Sequence, residues 1–268
     1  MKLFAFPIVK NRLTYYCHST LPTSSRLTKF VNWSNKKWEE FGEAKEDSWK
    51  KKLYGRGNDM MNKLDYQEWF LKGVPTKEHI ELPPEKVITY HPSSLTPADI
   101  EHDLTTLLHQ KSPYHQKYMK YSAYWVPLSC TFVIVPLVPN IPLAYNLFRL
   151  YSHYKAYKGA QFLEHLIDEN NIQYQTCKEI DDIIHTESLA TAQDIVFPEN
   201  IVANYKETAK LSPHVLDGDI PGVLNKRTII ALAKQCKVPA LELELLRSRS
   251  QILASIFLEQ HGIQKKHK

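Results

Sequence analysis

Apolar and charged residues are mixed along most of this chain at the spacing of amphipathic helices, and one stretch departs from that pattern. From Tyr121 to Phe148 the sequence YSAYWVPLSCTFVIVPLVPNIPLAYNLF holds twenty-eight residues without a charge, bounded by Lys120 and Arg149. An uncharged run of this length is either a membrane segment or the buried centre of a helical domain. As one continuous helix it would extend about 42 Å, more than the roughly 30 Å of bilayer hydrocarbon, while two complete spans need about 40 apolar residues. Pro127 and Pro136 interrupt the first half, and Pro139, Asn140 and Pro142 cluster as a turn. The pattern predicts a bent or re-entrant apolar hairpin with arms of about Tyr121–Val138 and Ile141–Tyr157. Lys111, Lys117 and Lys120 before the run, with Arg149, Lys155 and Lys158 after it, suit two ends returning to one positively charged compartment. Arg149 follows the turn by about 13 Å of helix, so it should face protein, water or a counter-charge and not lipid.

The remaining pattern predicts a mainly α, helical protein with a small N-terminal β element around this proline-broken hairpin. Lys2–Val9 and Arg12–His18 read as a strand hairpin in which Pro7 prefers an edge or a bulge, and Lys86–His91 reads as a third strand. Glu39–Lys52 is expected as an amphipathic helix and 55–59 as a loop. Thr96-Pro97-Ala98-Asp99 is a helix start, followed by the stripe Ile100, Leu104, Leu107 and Leu108. The second hairpin arm continues as helix to about Asp168, ended by Asn170 and Asn171, and another helix begins near Cys177. Arg227–Lys237 and Pro239–Gln260 form a final pair separated at Val238-Pro239. In the last helix Leu241, Leu245, Ile252 and Ile256 make a packing or oligomerisation stripe flanked by Glu242, Glu244, Arg247 and Arg249. The chain divides accordingly into regions 1–95, 96–168 and 169–268.

Charge and cysteine usage add little that selects a partner. Formal charge is +5, pI about 8.8 and mean hydropathy -0.40, a moderately basic balance that suits an anionic surface or an ordinary protein equally. Residues 1–38 hold Lys and Arg but no acid, a bias shared with mitochondrial presequences and set against Pro7, Pro22 and the strand pattern. The four cysteines lie far apart and the twelve histidines form no metal motif, so no metal and no cofactor is expected. His102, His109 and His115 read as a solvated helix face and its end. With only eight glycines and no phosphate loop or nucleophile elbow, no enzymatic chemistry is expected.

The block Pro136–Leu163, with P-N-x-P followed by F-R-x-Y-S-H-Y-x-A-x-x-G, resembles the fungal mitochondrial potassium/proton exchange-related family. The likeness extends more loosely to LFAFPI and YYCH at the start and to Thr228–Ile252. It implies the mitochondrial inner membrane and electroneutral exchange of potassium for protons, with the chain as carrier component or accessory subunit and the opening segment retained after import. In that setting Asn140 and carbonyls at the interrupted turn between Pro139 and Pro142 could coordinate a desolvated potassium ion. His153 could exchange protons, and Arg149 could act as a barrier or bind an acidic partner. A carboxylate inside the run is missing, which favours an accessory role or a shared site. The expected partners are therefore the membrane, potassium ion and proton, and a homo- or hetero-oligomer formed through the C-terminal helices. The residues leave open a soluble matrix scaffold or assembly protein. A helix-turn-helix outline at Thr228–Ser250 raises nucleic-acid binding, but Glu242 and Glu244 would meet phosphate repulsion, so no nucleic acid is expected.

Overall fold

The computed structural model describes residues 1–19, 36, 40, 42–45, 47–48, 50–52, 54–55, 64–76, 86–131, 141–209, 211 and 213–262. The helix expected over Glu39–Lys52 is not continuous: the described residues are helical at 40, 42 and 50–52 but not at 43–45, 47 and 48. Gly55, expected in a loop, is helical, while residues 56–59, Trp33, Trp38, Trp49, Pro136, Pro139 and Asn140 lie outside the described residues. The chain is mainly α with a small β element, as the pattern predicts. In chain order the elements are β1 (Lys2–Val9), β2 (Arg12–His18), α1 (Tyr66–Gly73), β3 (Val87–His91), α2 (Pro97–Cys130) and α3 (Ile141–Asp168). There follow β4 (Ile172–Thr176), α4 (Lys178–Ile184), α5 (Glu199–Thr208), α6 (Pro213–Leu216), α7 (Lys226–Gln235) and α8 (Pro239–Gln260). Two compact units result: Met1–His18, Lys86–Lys111 and Glu164–Lys268 form a sheet unit, and Ser19–Glu85 with Ser112–Leu163 form a hairpin unit.

In the sheet unit the strand order is β2-β1-β3-β4. β1 pairs antiparallel with β2 and parallel with β3, and β3 pairs parallel with β4. After the exposed Lys2, β1 is apolar and buried from Leu3 to Val9, as a strand covered on both faces must be. Pro7 is tolerated there because the β1–β3 pairing covers Lys2–Phe4 and the β1–β2 register shifts between Pro7 and Val9. β4, IQYQT, alternates half-buried Ile172 and Tyr174 with exposed Gln173 and Gln175 and is an edge strand held by backbone pairing with β3. Asn170 precedes it at φ 53, a left-handed cap in which the amide of Asn171 donates to Leu166. The start of α2 forms as expected: Thr96 Oγ1 accepts from the Asp99 amide at 3.2 Å while Asp99 accepts back from Thr96. That bonding with Thr96 holds the Asp99 carboxyl below the usual carboxylate range.

Leu241, Leu245, Ile252 and Ile256 of α8 are buried in this unit's core, so the packing alternative accounts for the stripe. Arg249 is not a flanking surface charge. It is buried, and its Nε, Nη1 and Nη2 donate to the carbonyls of Leu224, Leu216 and Gly218 at 2.7–2.8 Å. Arg247 does remain beside the stripe as an ion pair with Glu244 at 2.7 Å.

The hairpin unit is built on the facing parts of α2 and α3. Asn146 Nδ2 donates to Ser129 Oγ at 3.3 Å and Gln116 Nε2 to the Tyr157 hydroxyl at 3.2 Å, which fixes the two helices as antiparallel. Pro127 does not interrupt the first arm. α2 runs unbroken through both Pro113 and Pro127, because a proline removes one ladder bond without preventing its neighbours from closing the next turns. α1 is capped by Asp65, which accepts from the Gln67 amide.

α3 meets α1 through one stripe of small residues. A Cβ on Gly159 would lie 2.1 Å from the Leu71 carbonyl oxygen, so only glycine permits that approach. Ala156 and Ala160 on the same face are fully buried. The S-H-Y-x-A-x-x-G wording is thus a packing code: Ser152, Ala156 and Gly159 lie at helical spacing on the face that receives α1.

Candidate functional site

At the polar end of that stripe the hairpin unit holds a chain of four titratable side chains drawn from three helices, three of them buried and Arg149 half-buried. Glu68 of α1 is 3% exposed and forms an ion pair with Arg149 of α3 at 2.9 Å. Ser152 donates a 2.5 Å hydrogen bond to the same Glu68 oxygen. Arg149 Nη2 lies 2.8 Å from His153 Nε2, and His153 Nδ1 lies 3.0 Å from Nδ1 of His115 on α2. Both imidazoles are buried.

The proton positions follow from the donors available. A guanidinium only donates, so His153 Nε2 accepts, and the proton of a neutral His153 sits on Nδ1. That proton is given to His115 Nδ1, which must be the acceptor. Arg149 therefore sets the tautomers of both rings. Burial pushes His153 down to about 4, assisted by the adjacent Arg149 charge, so it is neutral at physiological pH. For Glu68 burial opposes ionisation, yet the Arg149 guanidinium and the Ser152 hydroxyl outweigh it and hold the carboxyl below the usual range. The centre is thus a carboxylate and guanidinium pair extended by two neutral imidazoles. Aromatic rings close one side, with Tyr118 stacked on His153 at 5.7 Å and Tyr114 edge-on at 6.1 Å. The Lys72 ammonium sits over the Trp69 ring at 4.0 Å.

Of the residues expected from the sequence, Arg149 and His153 are brought together, and Arg149 has the counter-charge its position demanded. Pro142 stands exposed in the first turn of α3, where its fixed φ suits a helix start. Asn140 and Pro139 lie outside the described residues. His115 is a correction: it is buried against His153, whereas His102 and His109 are exposed as expected. The ring points from α2 toward α3, a direction the local spacing of histidines did not encode. Glu68 is the carboxylate missing from the apolar run, supplied from another helix. Its one sequence signal was an acid three residues before Leu71 on the apolar face of a short helix. Glu68, His115 and His153 also place three possible metal-ligand atoms within 4.8 Å of one another.

Beyond this centre the hairpin becomes uncharged and exposed. Tyr121, Tyr124, Trp125 and Leu128 on α2, with Tyr145 and Leu147 on α3, face outward, Tyr124 being 79% and Trp125 58% exposed. Among the described residues no helix is long and apolar enough to cross a membrane, which corrects the expectation of a transmembrane helix. The reason is length: the uncharged parts are Tyr121–Cys130 and Ile141–Phe148, about 15 and 12 Å of helix against roughly 30 Å of hydrocarbon.

These features sit in a chain that belongs to the family described as mitochondrial K+-H+ exchange-related, which it matches over residues 2–167. The match takes in β1–β3, both hairpin helices and every member of the buried centre. An uncharacterized protein of Schizosaccharomyces pombe is 26% identical over 186 residues, covering 68% of this chain and 81% of its own. An uncharacterized protein of Saccharomyces cerevisiae is 23% identical over 304 aligned positions, covering 100% of this chain and 87% of its own. No solved structure matches. Family membership relates the chain to mitochondrial potassium/proton exchange.

Proposed function

We propose that this is a mitochondrial inner-membrane protein that takes part in potassium/proton exchange and matrix volume control, as an accessory subunit or carrier component, anchored by the end of its α2/α3 hairpin. The observation carrying the reading is the exposed, uncharged hairpin end with Trp125, Tyr121, Tyr124 and Tyr145 around it. Helices that are apolar all round need a non-aqueous cover, and Trp and Tyr favour the level of lipid headgroups. An insertion about 12–15 Å deep enters one leaflet without crossing, and the exposed Lys117 and Lys120 stand where anionic headgroups would meet them. Glu68, Arg149, His153 and His115 then lie outside the inserted end, with Asn140 as a candidate potassium ligand.

Isolated mitochondria lacking the protein are expected to swell in potassium salts without the normal recovery, and restoring the chain should restore contraction. Normal recovery in its absence would refute the role. A second reading, a matrix scaffold whose hairpin end is covered by a protein partner, draws on the same exposed patch of Tyr124, Trp125 and Leu128, which a protein surface would cover as well as lipid. Alkaline extraction separates the two: the anchored protein stays with the membrane and the scaffold is released.

A further inference from the structure

We propose that Glu68, His115 and His153 form a binding site for a divalent transition-metal ion of the zinc type, in competition with Arg149. Tetrahedral zinc with bonds of about 2.0–2.1 Å to imidazole nitrogen holds two such nitrogens roughly 3.3 Å apart. The Nδ1 atoms of His115 and His153 are already 3.0 Å apart, and a Glu68 carboxylate oxygen lies with one ring nitrogen of each histidine in a three-donor set within 4.8 Å. Two imidazoles and one carboxylate are a donor combination that suits zinc and leaves one coordination position for water. The three residues come from α1, α2 and α3 and are all buried, so the set exists only in the folded hairpin unit.

Arg149 gives the site its particular behaviour. It donates to Glu68 Oε1 and faces His153 Nε2, and that contact keeps the His153 proton on Nδ1. A metal bound to both Nδ1 atoms requires this proton to move to Nε2, where it would face the guanidinium donor. Metal coordination and the Arg149–His153 hydrogen bond therefore exclude each other, with no net proton gained or lost by the pair. Arg149 occupies electrostatically the place the cation would take, and the Lys72 ammonium adds to the opposing charge. The site does not depend on the exchange role.

The test is titration of the full-length protein in detergent, cleared with a chelator, with Co2+ alone. The expected result is one Co2+ per chain with the intense visible absorption of four-coordinate cobalt. No binding, or the pale spectrum of six-coordinate cobalt, overturns the proposal. His115→Asn should weaken binding by at least about tenfold, while His102→Ala, on an exposed position, should leave it unchanged. Retained affinity in His115→Asn places the metal elsewhere and also overturns it. Should that variant fail to fold, Arg149→Gln decides: affinity rises by about tenfold or more once the competing guanidinium charge is gone, and an unchanged or lower affinity contradicts the proposal.

Discussion

Two arginines, one in each unit, are satisfied by different chemistry, Arg249 buried and Arg149 half-buried. Arg249 in the sheet unit gives its guanidinium to the backbone carbonyls of Leu216, Gly218 and Leu224. Arg149 in the hairpin unit gives its own to Glu68 and His153. Carbonyls cannot change charge, so the first arrangement can only hold a loop in place. A carboxylate and an imidazole can, so the second can respond to protons or cations. Exposed apolar side chains divide the same way. In the sheet unit Val196, Ile230 and Leu243 stand singly, whereas in the hairpin unit Tyr121, Tyr124, Trp125 and Leu128 follow one another along the end of α2. Scattered exposure is ordinary, and a contiguous patch asks for a partner surface.

Removing one member of the hairpin pair should give the largest effect. Glu68→Ala leaves the half-buried Arg149 charge without its carboxylate and is expected to cost about 3–4 kcal/mol in denaturant unfolding of the full chain, the lower part of the range for a buried pair. Pairing it with Arg149→Met should return most of that loss. If the single change proves as mild as the double, the pair is not the organising contact of α1 on α3. Arg249→Ala removes three charge-assisted hydrogen bonds and leaves three carbonyls to rehydrate, for a cost of about 3 kcal/mol. Here no second substitution should rescue, since its partners are backbone.

Acidification should then distinguish the two regions without any mutation. His153 is depressed to about 4 from 6.5 in the folded chain, so the unfolded state takes up a proton first as pH falls. Its contribution is complete above about 6.5 and is lost as pH falls toward 4, a change on the order of 2–3 kcal/mol. Glu68, also depressed, acts in the same direction below the ordinary carboxylate range. Unfolding midpoints measured across this window should fall for the wild type and flatten for His153→Gln. Equal slopes in both proteins would remove His153 from the account. Gly159→Ala should cost less, about 1–2 kcal/mol, because the added methyl forces α1 and α3 apart. No loss in a thermal melt would show that the close approach is dispensable.

What the sequence made legible follows from how local each signal is. β1, β2, β3, the start of α2 and the long run of α3 rest on alternation, caps and helical spacing within a few residues, and all formed. Lys237, the last residue of the helix expected over Arg227–Lys237, adopts φ 55 between α7 and α8, the left-handed region that favours glycine. β4 escaped because its alternation rests on only two apolar positions, Ile172 and Tyr174, in a five-residue edge strand held by backbone bonds. Pro127 misled because its weight as a breaker was judged without neighbouring turns that sustain the helix. At the site, the demand of Arg149 for a counter-charge was readable from its place after an uncharged run. Its answer was not, since Glu68 lies 81 positions away on a helix whose docking depends on Gly159. His115 was equally hidden, because which way a histidine points on a long helix depends on what packs there.

The central claim is that lipid covers the uncharged end of the hairpin, and Cys130 offers a native probe of it, exposed at the last residue of α2. A spin label on Cys130, with Cys177→Ser and Cys236→Ser to prevent competing labelling, should be read in vesicles carrying anionic lipid. The account predicts ready collision with dissolved oxygen and protection from a water-soluble nickel reagent, with the reverse for a label at Leu243→Cys. Free access of the nickel reagent to both positions would contradict it.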